Sequence, residues 1–447
     1  MHLVIVSPEY PPHGGGGILK FYRTLAPRYV KAGHRVTVLV ANPFSDDFPG
    51  YEHDGVVVRC VPLQAGRKQA NCLAHLSPAP LLRQWLGAAR AAATAAVDLS
   101  PDIVETTDFG VLFVPLLVRE ARPPIIVQMH GSIGQISMWE PPHAGDELDV
   151  ALSRLLEASV LSSADEIQAY SPLNAAEWSR RLQRQCVFLA PPMECREPAG
   201  IQADDAALVV ARIQPWKGPD LLCEAVQRLG TTAGGLKIDW VGRDTMTAPD
   251  GGSFNVHLAA KYKGIWGDAI RPTGSRMAEE VWAAQQAARF VIVPSAWDTF
   301  NLAAAEAMAA RRVVICSDGA GASFLIQDRV NGFLFKAGDA DSLAAALRRV
   351  LALPPAETTA IGEAAERTVS ENLDPDRIAC LRLERMHALV SSGGGGRVAV
   401  PDWMAGFVET AGGRSVSSDF LDNVSIRELT RHLARRLRRR LLRQPGT

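Results

Sequence analysis

The sequence predicts an α/β protein built from two doubly wound domains and a C-terminal helical extension. Three observations point there. The chain has 447 residues, about three times a typical domain length. Short, near-continuous runs of valine and isoleucine recur along it, which is how strands buried on both faces of a parallel sheet read. Helical segments separate those runs, as βαβ crossovers require.

In chain order, the first half offers "LVIVS" (3–7), "RVTVLVA" (35–41), "DIVETT" (102–107), "PIIVQMH" (124–130) and "CVFLAP" (186–191). Each is a short β-branched or aliphatic run bounded by turn formers, the signature of a strand. A break follows at "PPMECREPAGIQADDA" (191–206), rich in proline and polar residues. Strand-like runs then resume with "ALVVARI" (207–213), "KIDWVG" (237–242), "RFVIVPS" (289–295) and "RRVVICSD" (311–318). The expected layout is a domain over 1–195, a second over 206–375, a helix over 376–391 and a linker over 392–424, with "SSGGGG" (391–396) at the junction. A basic amphipathic helix over 425–444 closes the chain.

Composition narrows the class. At 47% hydrophobic and 21% charged residues the chain is an ordinary globular one, far from disordered composition. Seven cysteines without C-x-x-C or zinc spacing suit a reducing compartment. "MHLVIVSPEYPP" has no basic leader, so it does not read as a signal peptide, and no run of 18 apolar residues spans a membrane. The expected location is cytoplasmic. The net charge of −1 hides an asymmetry: residues 425–447 hold eight arginines against one glutamate, a +7 tail on a body of −8. Such a tail is a partner signal, and with Ile426, Leu429, Leu433, Leu437 and Leu441 at helical spacing it predicts docking on an anionic membrane surface or an acidic partner. Nothing suggests nucleic acid.

Ligands of doubly wound sheets bind at the carboxyl ends of the strands, so the residues just past each strand matter most. Gly14 to Gly17 follow the first strand and let the backbone approach an anion at a helix start near Ile18, or form a flexible turn. The spacing fits neither a dinucleotide fingerprint nor a phosphate-binding P-loop. His130 ends its strand before a glycine, either as a site residue or as a polar cap. Arg212 and Lys217 flank the loop after "ALVVARI", where two cations and a helix dipole suit a diphosphate, unless they are solvated surface charges. Asp298 stands in the loop after "RFVIVPS". Eight residues on, Glu306 is surrounded by Leu302, Ala303, Ala304, Ala305, Ala307, Met308 and Ala309, where an unpaired carboxylate is costly.

Together "GGGG", "MHG", "VARIQPWKG", "VGR", "VPSAWDTFNLAAAEAMA" and "VNGFLF…GDADSLAAAL" resemble family 4 of the retaining, nucleotide-sugar-dependent glycosyltransferases with the GT-B fold, over roughly residues 1–390. The resemblance implies two Rossmann-like domains facing a cleft. It implies transfer of a sugar from a UDP-, GDP- or ADP-sugar to a hydroxyl acceptor, which is a glycan, a lipid-linked sugar or a small molecule, in polysaccharide or glycolipid biosynthesis. By the same resemblance Glu306 bonds the donor ribose, Asp298 contacts the transferred sugar, and Arg212 and Lys217 hold the diphosphate. His130 sits beside the sugar, Gly15 and Gly16 close on phosphate or acceptor, and Phe300, Asn301 and Leu302 complete the donor pocket. The leaving diphosphate is stabilised by cations and a helix dipole, so no metal or other cofactor is expected.

Three departures from the family pattern stand out. The first acid is Asp298 rather than the usual glutamate, "EAMAARR" lacks a glycine after its helix, and Phe324 stands where an acid is frequent. Competing classes have weaker support. A metal-dependent transferase needs a D-x-D element, and the strings at Asp339–Asp341 and Asp374–Asp376 read as helix N-caps. A sugar-nucleotide epimerase needs further acid–base groups, for which Glu105 and Asp108 are the candidates. An inactive membrane-docked scaffold would not need Arg212, Lys217 and Glu306.

Overall fold

A computed structural model describes residues 1–119, 121–140, 146–199, 204–230, 235–395, 421 and 424–441. Most of the linker expected over 392–424 and residues 442–444 of the basic helix lie outside these. The chain forms two parallel-sheet domains, and the sheet order explains where a ligand can enter. The first sheet contains β1 (His2–Ser7), β2 (Arg35–Val40), β3 (Tyr51–His53), β4 (Val56–Cys60), β5 (Ile103–Thr107), β6 (Ile125–Met129), β7 (Glu166–Ala169) and β8 (Val187–Phe188). Its order is β3-β4-β2-β1-β5-β6-β7-β8, parallel except for the short β3 on β4. β1 is buried along its whole length because it lies between β2 and β5 with helices on both faces. The order reverses at β1, so the loop after it opens at the topological switch point.

The second sheet contains β9 (Ala207–Val210), β10 (Ile238–Val241), β11 (Ile270–Gly274), β12 (Val291–Val293), β13 (Val314–Ser317) and β14 (Phe333–Phe335). Its order is β11-β10-β9-β12-β13-β14. Here the switch point lies between β9 and β12, and the loops that follow these two strands carry Arg212, Lys217 and Asp298.

Each domain has an outer core of its own, around Val4, Leu86 and Val127 in the first and around Leu222, Trp240 and Leu347 in the second. A third apolar cluster is shared. It runs from Leu3, Ile5 and Leu25 through Ala304 and Met308 to Val369, Ile378 and Met386.

The chain's route explains that sharing. The helix Pro355–Asn372 stays with the second domain, and Asp374 then caps the helix Pro375–Ser391, its carboxylate accepting from the Arg377 N–H at 2.6 Å. That helix returns to the first domain. There Arg382, fully buried, donates to Glu105 Oε1 at 2.6 Å, Gln128 Oε1 at 2.9 Å and the Tyr29 hydroxyl at 2.9 Å. Arg385 makes a two-pronged pair with Glu166 at 2.8 and 2.5 Å. The helix Ile426–Leu441 stands apart, with Ile426 83%, Leu433 58% and Leu437 61% exposed. These three members of its apolar stripe face solvent, while Leu429 is half-buried.

Candidate functional site

The site is assembled by loops that leave the two sheets at their facing carboxyl ends. In the second domain, the loop after β12 sets Asp298. Asn301 adopts a left-handed backbone (φ 86°) and caps the helix Leu302–Ala309 by accepting from the Ala304 N–H at 3.1 Å. Its amide nitrogen donates to Asp298 Oδ2 at 2.9 Å. Lys217 Nζ reaches the same oxygen at 2.5 Å, with both side chains nearly buried. Burial lowers the Lys217 pKa and Asp298 pulls it back up, so the ammonium depends on a negative neighbour.

Lys217 also lies over the Trp216 ring at 3.9 Å, a desolvated cation–π contact. Gly218 after it needs φ +77°, and a Cβ there would come within 2.0 Å of the Pro294 carbonyl oxygen. Only glycine lets the cationic loop lie this close to the start of the loop bearing Asp298. Arg212 is exposed on the same edge, and Arg243, Glu140 and Asp298 are the charges that act on it.

The first domain meets this loop at His130. The His130 and Gly131 N–H groups both donate to the Asp108 carboxylate, at 2.8 and 3.1 Å. Burial pushes Asp108 up to about 7 against the pull of these two amides. The Tyr170 hydroxyl meets His130 Nδ1, and Phe21 stands edge-on to the imidazole at 5.3 Å. Burial, helped by the Arg382 charge, holds the imidazole well below its usual pKa range, so the ring is neutral at pH 7. Thr299 Oγ1 donates to the His130 carbonyl at 3.2 Å, and Ser171 Oγ donates to the Thr299 carbonyl at 2.9 Å. The loop Asp298–Asn301 therefore rests directly against the loops after β6 and β7.

Glu306 lies on the helix Leu302–Ala309, whose other residues are mostly buried. It is partly exposed and accepts from Lys20 Nζ at 2.7 Å, across the cleft. Leu302 is also at the cleft, 3.6 Å from where a Cβ on Gly17 would sit. Phe300 is buried beneath the loop. The structure thus brings His130, Asp298, Asn301, Leu302, Arg212, Lys217 and Glu306 to one interdomain crevice.

Gly15 and Gly16 lie on the same edge, but their amides are occupied. Both donate to Glu9 Oε2 at 3.2 Å, and the Leu19 N–H donates to Glu9 Oε1 at 2.8 Å. The anion at this helix start is a side chain of the chain itself, because a carboxylate satisfies the orphan amides that a ligand would otherwise meet.

Several partners are invisible to sequence reading. Glu140 of the first domain accepts from Gln214 Nε2 at 2.7 Å and Trp216 Nε1 at 3.0 Å. Trp139 stacks on Trp297 at 5.9 Å between ring centroids. The first holds the cationic loop and the second holds the loop after β12, both from the opposite domain. Arg243, in the "VGR" that follows β10, adds a third cation. Of these only Arg243 had a local signal, its place at a strand's carboxyl end. Glu105 and Asp108, the candidate epimerase acids, are committed to Arg382 and to the His130 loop. Asp339 caps the helix Ala340–Leu351 through the Asp341 and Ser342 amides at 3.0 and 2.9 Å, as Asp374 caps its own.

Comparison with known proteins shows the family and the fold. Residues 16–185 match the family model described as glycosyl transferase 4-like domain, and residues 194–368 match the one described as glycosyl transferases group 1. The chain is 29% identical over 232 residues to the D-inositol 3-phosphate glycosyltransferase of Geodermatophilus obscurus, covering 46% of this chain and 50% of that protein. It is 24% identical over 400 residues to the glycogen synthase of Mycobacterium tuberculosis, covering 83% and 91%. The chain spans about half the length of the first of these relatives. Among solved structures it resembles sucrose-phosphate synthase from Thermosynechococcus elongatus, with a TM-score of 0.68 and 20% identity over 88% of this chain and 100% of that one. It also resembles Anabaena HepE in complex with UDP and glucose, with a TM-score of 0.63 and 16% identity over 87% and 100%.

Proposed function

The chain belongs to the group 1 glycosyl transferases and has the GT-B fold, and from that footing we propose that it transfers a sugar from a nucleoside diphosphate to a hydroxyl acceptor. The observation that carries this reading is that the Asp298–Asn301 loop, with Lys217 paired to Asp298 and Arg212 within reach of its charge, rests against the His130 loop through Thr299, while Glu306 lies on the helix that follows.

In the proposed mechanism Glu306 exchanges Lys20 for the ribose hydroxyls of the donor. Lys217 and Arg212, with Arg243 beside them, hold the diphosphate and neutralise the charge that grows on it as the glycosidic bond breaks. That charge is largest in the transition state, so these contacts act on rate. Asp298, freed from Lys217 by the diphosphate, turns to the transferred sugar. His130, neutral and fixed by Tyr170, offers a hydrogen bond to the sugar without adding charge. The acceptor attacks from the face the diphosphate leaves, and the leaving phosphate takes its proton, so configuration is retained. No second carboxylate is needed, in contrast to a glycoside hydrolase.

The cations supply the neutralisation, and the reading includes no metal or cofactor. UDP-, GDP- and ADP-sugars are the candidate donors; Anabaena HepE, bound to UDP and glucose, favours the first. The exposed Ile426, Leu433 and Leu437 and the exposed Arg427, Arg431 and Arg435 of the Ile426–Leu441 helix support reversible attachment to an anionic membrane surface, with the protein at the cytoplasmic face of the plasma membrane. No helix among the described residues is long and apolar enough to cross a membrane.

The test is release of nucleoside diphosphate from a panel of sugar nucleotides, with EDTA present, and the anomeric configuration of the product. Release or transfer from one donor supports the transferase. A free epimer, or no turnover with any donor, removes it.

A further inference from the structure

The carboxyl edge of the first sheet holds a second cavity, of about 290 Å3, beyond β2 and β4. Asn42 and Val61, just past those strands, line it, and the helices Leu63–Asn71 and Pro80–Asp98 form its sides. The two helices pack tightly because both carry glycine at the crossing. A Cβ on Gly87 would come within 2.5 Å of the Gly66 carbonyl oxygen. Arg67 of one helix and Arg83 of the other are thereby brought to the same cavity.

Neither guanidinium has a side-chain partner among the described residues, and Arg83 Nε is fully buried with no hydrogen bond. None of the described residues lining the cavity is acidic. A buried donor without a partner is costly, and two unpaired guanidiniums at one small cavity present ten donors suited to carboxylate or phosphate oxygens, five on each fork. Elsewhere in the fold, by contrast, deeply placed arginines such as Arg382 and Arg122 are paired.

We propose that this cavity binds an anionic group on the acceptor, remote from the hydroxyl that is glycosylated. The inference rests on the transferase reading above. Its length scale comes from the sheet. β2 is three and β4 four strand spacings from β6, whose end carries His130. At about 4.8 Å per spacing the anion lies roughly 14–19 Å from the reacting sugar. A single sugar phosphate cannot span that distance. An extended acceptor can, either an oligosaccharide with an acidic residue or a sugar carried on a lipid diphosphate. The shared chemistry is a carboxylate or phosphate held by Arg67 and Arg83.

The test uses the full chain. In an Arg212→Ala/Lys217→Ala background, which removes the donor's cations, inorganic phosphate is expected to raise Tm. Adding Arg67→Gln and Arg83→Gln should require about 10- to 100-fold more phosphate for the same rise. Circular dichroism and unliganded Tm check the fold, and Arg83→Lys, which keeps charge but loses the fork, should lie between. No rise, or a rise that survives both glutamines, overturns the proposal.

With the donor site intact, kcat/KM is compared for oligogalacturonate, a neutral oligosaccharide of equal length and a polyprenyl diphosphate sugar. The ratio of an anionic to the neutral acceptor should fall about 10- to 100-fold in Arg67→Gln/Arg83→Gln, and the anion that shows the fall identifies the source. An unchanged ratio for both anions overturns the proposal. Failure of the transferase reading has a different signature: wild type releases no nucleoside diphosphate from any donor, while phosphate-induced Tm still tracks Arg67 and Arg83.

Discussion

Replacing Glu306 with alanine isolates the share of donor binding assigned to the ribose. In the structure the carboxylate holds Lys20 Nζ at 2.7 Å, with the lysine side chain 49% and the glutamate 23% exposed. An ion pair this open to water contributes at most about 1 kcal/mol. Two ribose hydroxyls donating to the carboxylate contribute about 1.5–3 kcal/mol each. After the loss of the lysine pair, the exchange leaves a net gain of roughly 2–5 kcal/mol, or about 30- to 4,000-fold in donor affinity. Glu306→Ala should therefore weaken donor binding by that factor. Unliganded Tm should move by no more than about 4 °C, since only the exposed pair is lost from the fold.

Glu306→Gln, with one acceptor oxygen, falls between. Lys20→Met removes the competitor without touching the carboxylate, so binding of the free nucleoside, which has no phosphate to miss the lysine, should tighten by up to about fivefold. Calorimetric titration of nucleoside and nucleoside diphosphate reads all three. A Glu306→Ala affinity within threefold of wild type would end the ribose assignment, and a large fall in Tm would show that the residue is structural.

Alanine at Arg212 or Lys217 should lower kcat more than it raises KM, and wild-type turnover should persist in EDTA; inactivation by EDTA reversed by magnesium or manganese refutes this. His130 is held below its unfolded pKa of about 6.5, so the native state takes up fewer protons than the unfolded one as pH falls, and stability is lost from that point downward. Wild type should thus lose more Tm between pH 7.5 and 5.5 than His130→Gln, and equal losses would contradict the burial argument. The full chain should co-sediment with anionic vesicles at low salt and release at high salt, at roughly 1 kcal/mol per arginine near the surface, while a truncation at Asp422 should not. Equal binding by both forms removes the docking role.

The fold could be read because parallel strands buried on both faces leave near-continuous valine and isoleucine, as in β1, β2, β9 and β13. The same topology made the crevice legible. His130, Arg212, Lys217 and Asp298 each follow a strand, so one rule about carboxyl ends collects them. β4, "VVVRC", carries the same signal but is not among the runs read from the sequence, and other strands carry none. β3 is the polar "YEH" at a sheet edge, and β11 contains Pro272 and ends in glycine.

Tertiary partners were also beyond reach. Lys20 meets Glu306 across 286 residues and Arg382 meets Glu105 across 277, distances over which no sequence pattern operates. The glycine loop shows the cost. Its amides do meet an anion, but that anion is Glu9, only six residues from Gly15, because a local acid competes with any ligand for the same donors.

The return of the Pro375–Ser391 helix to the first domain has a consequence for synthesis. Glu105 is made early, and its partner Arg382 is made 277 residues later. Until that helix leaves the ribosome, the first sheet would have to bury a carboxylate with no cation, a state that costs about 3–5 kcal/mol relative to the paired one. The nascent first domain therefore remains incomplete while the second is being translated. The buried Glu105 carboxylate gains its cation only when residues 375–391 have been made and dock.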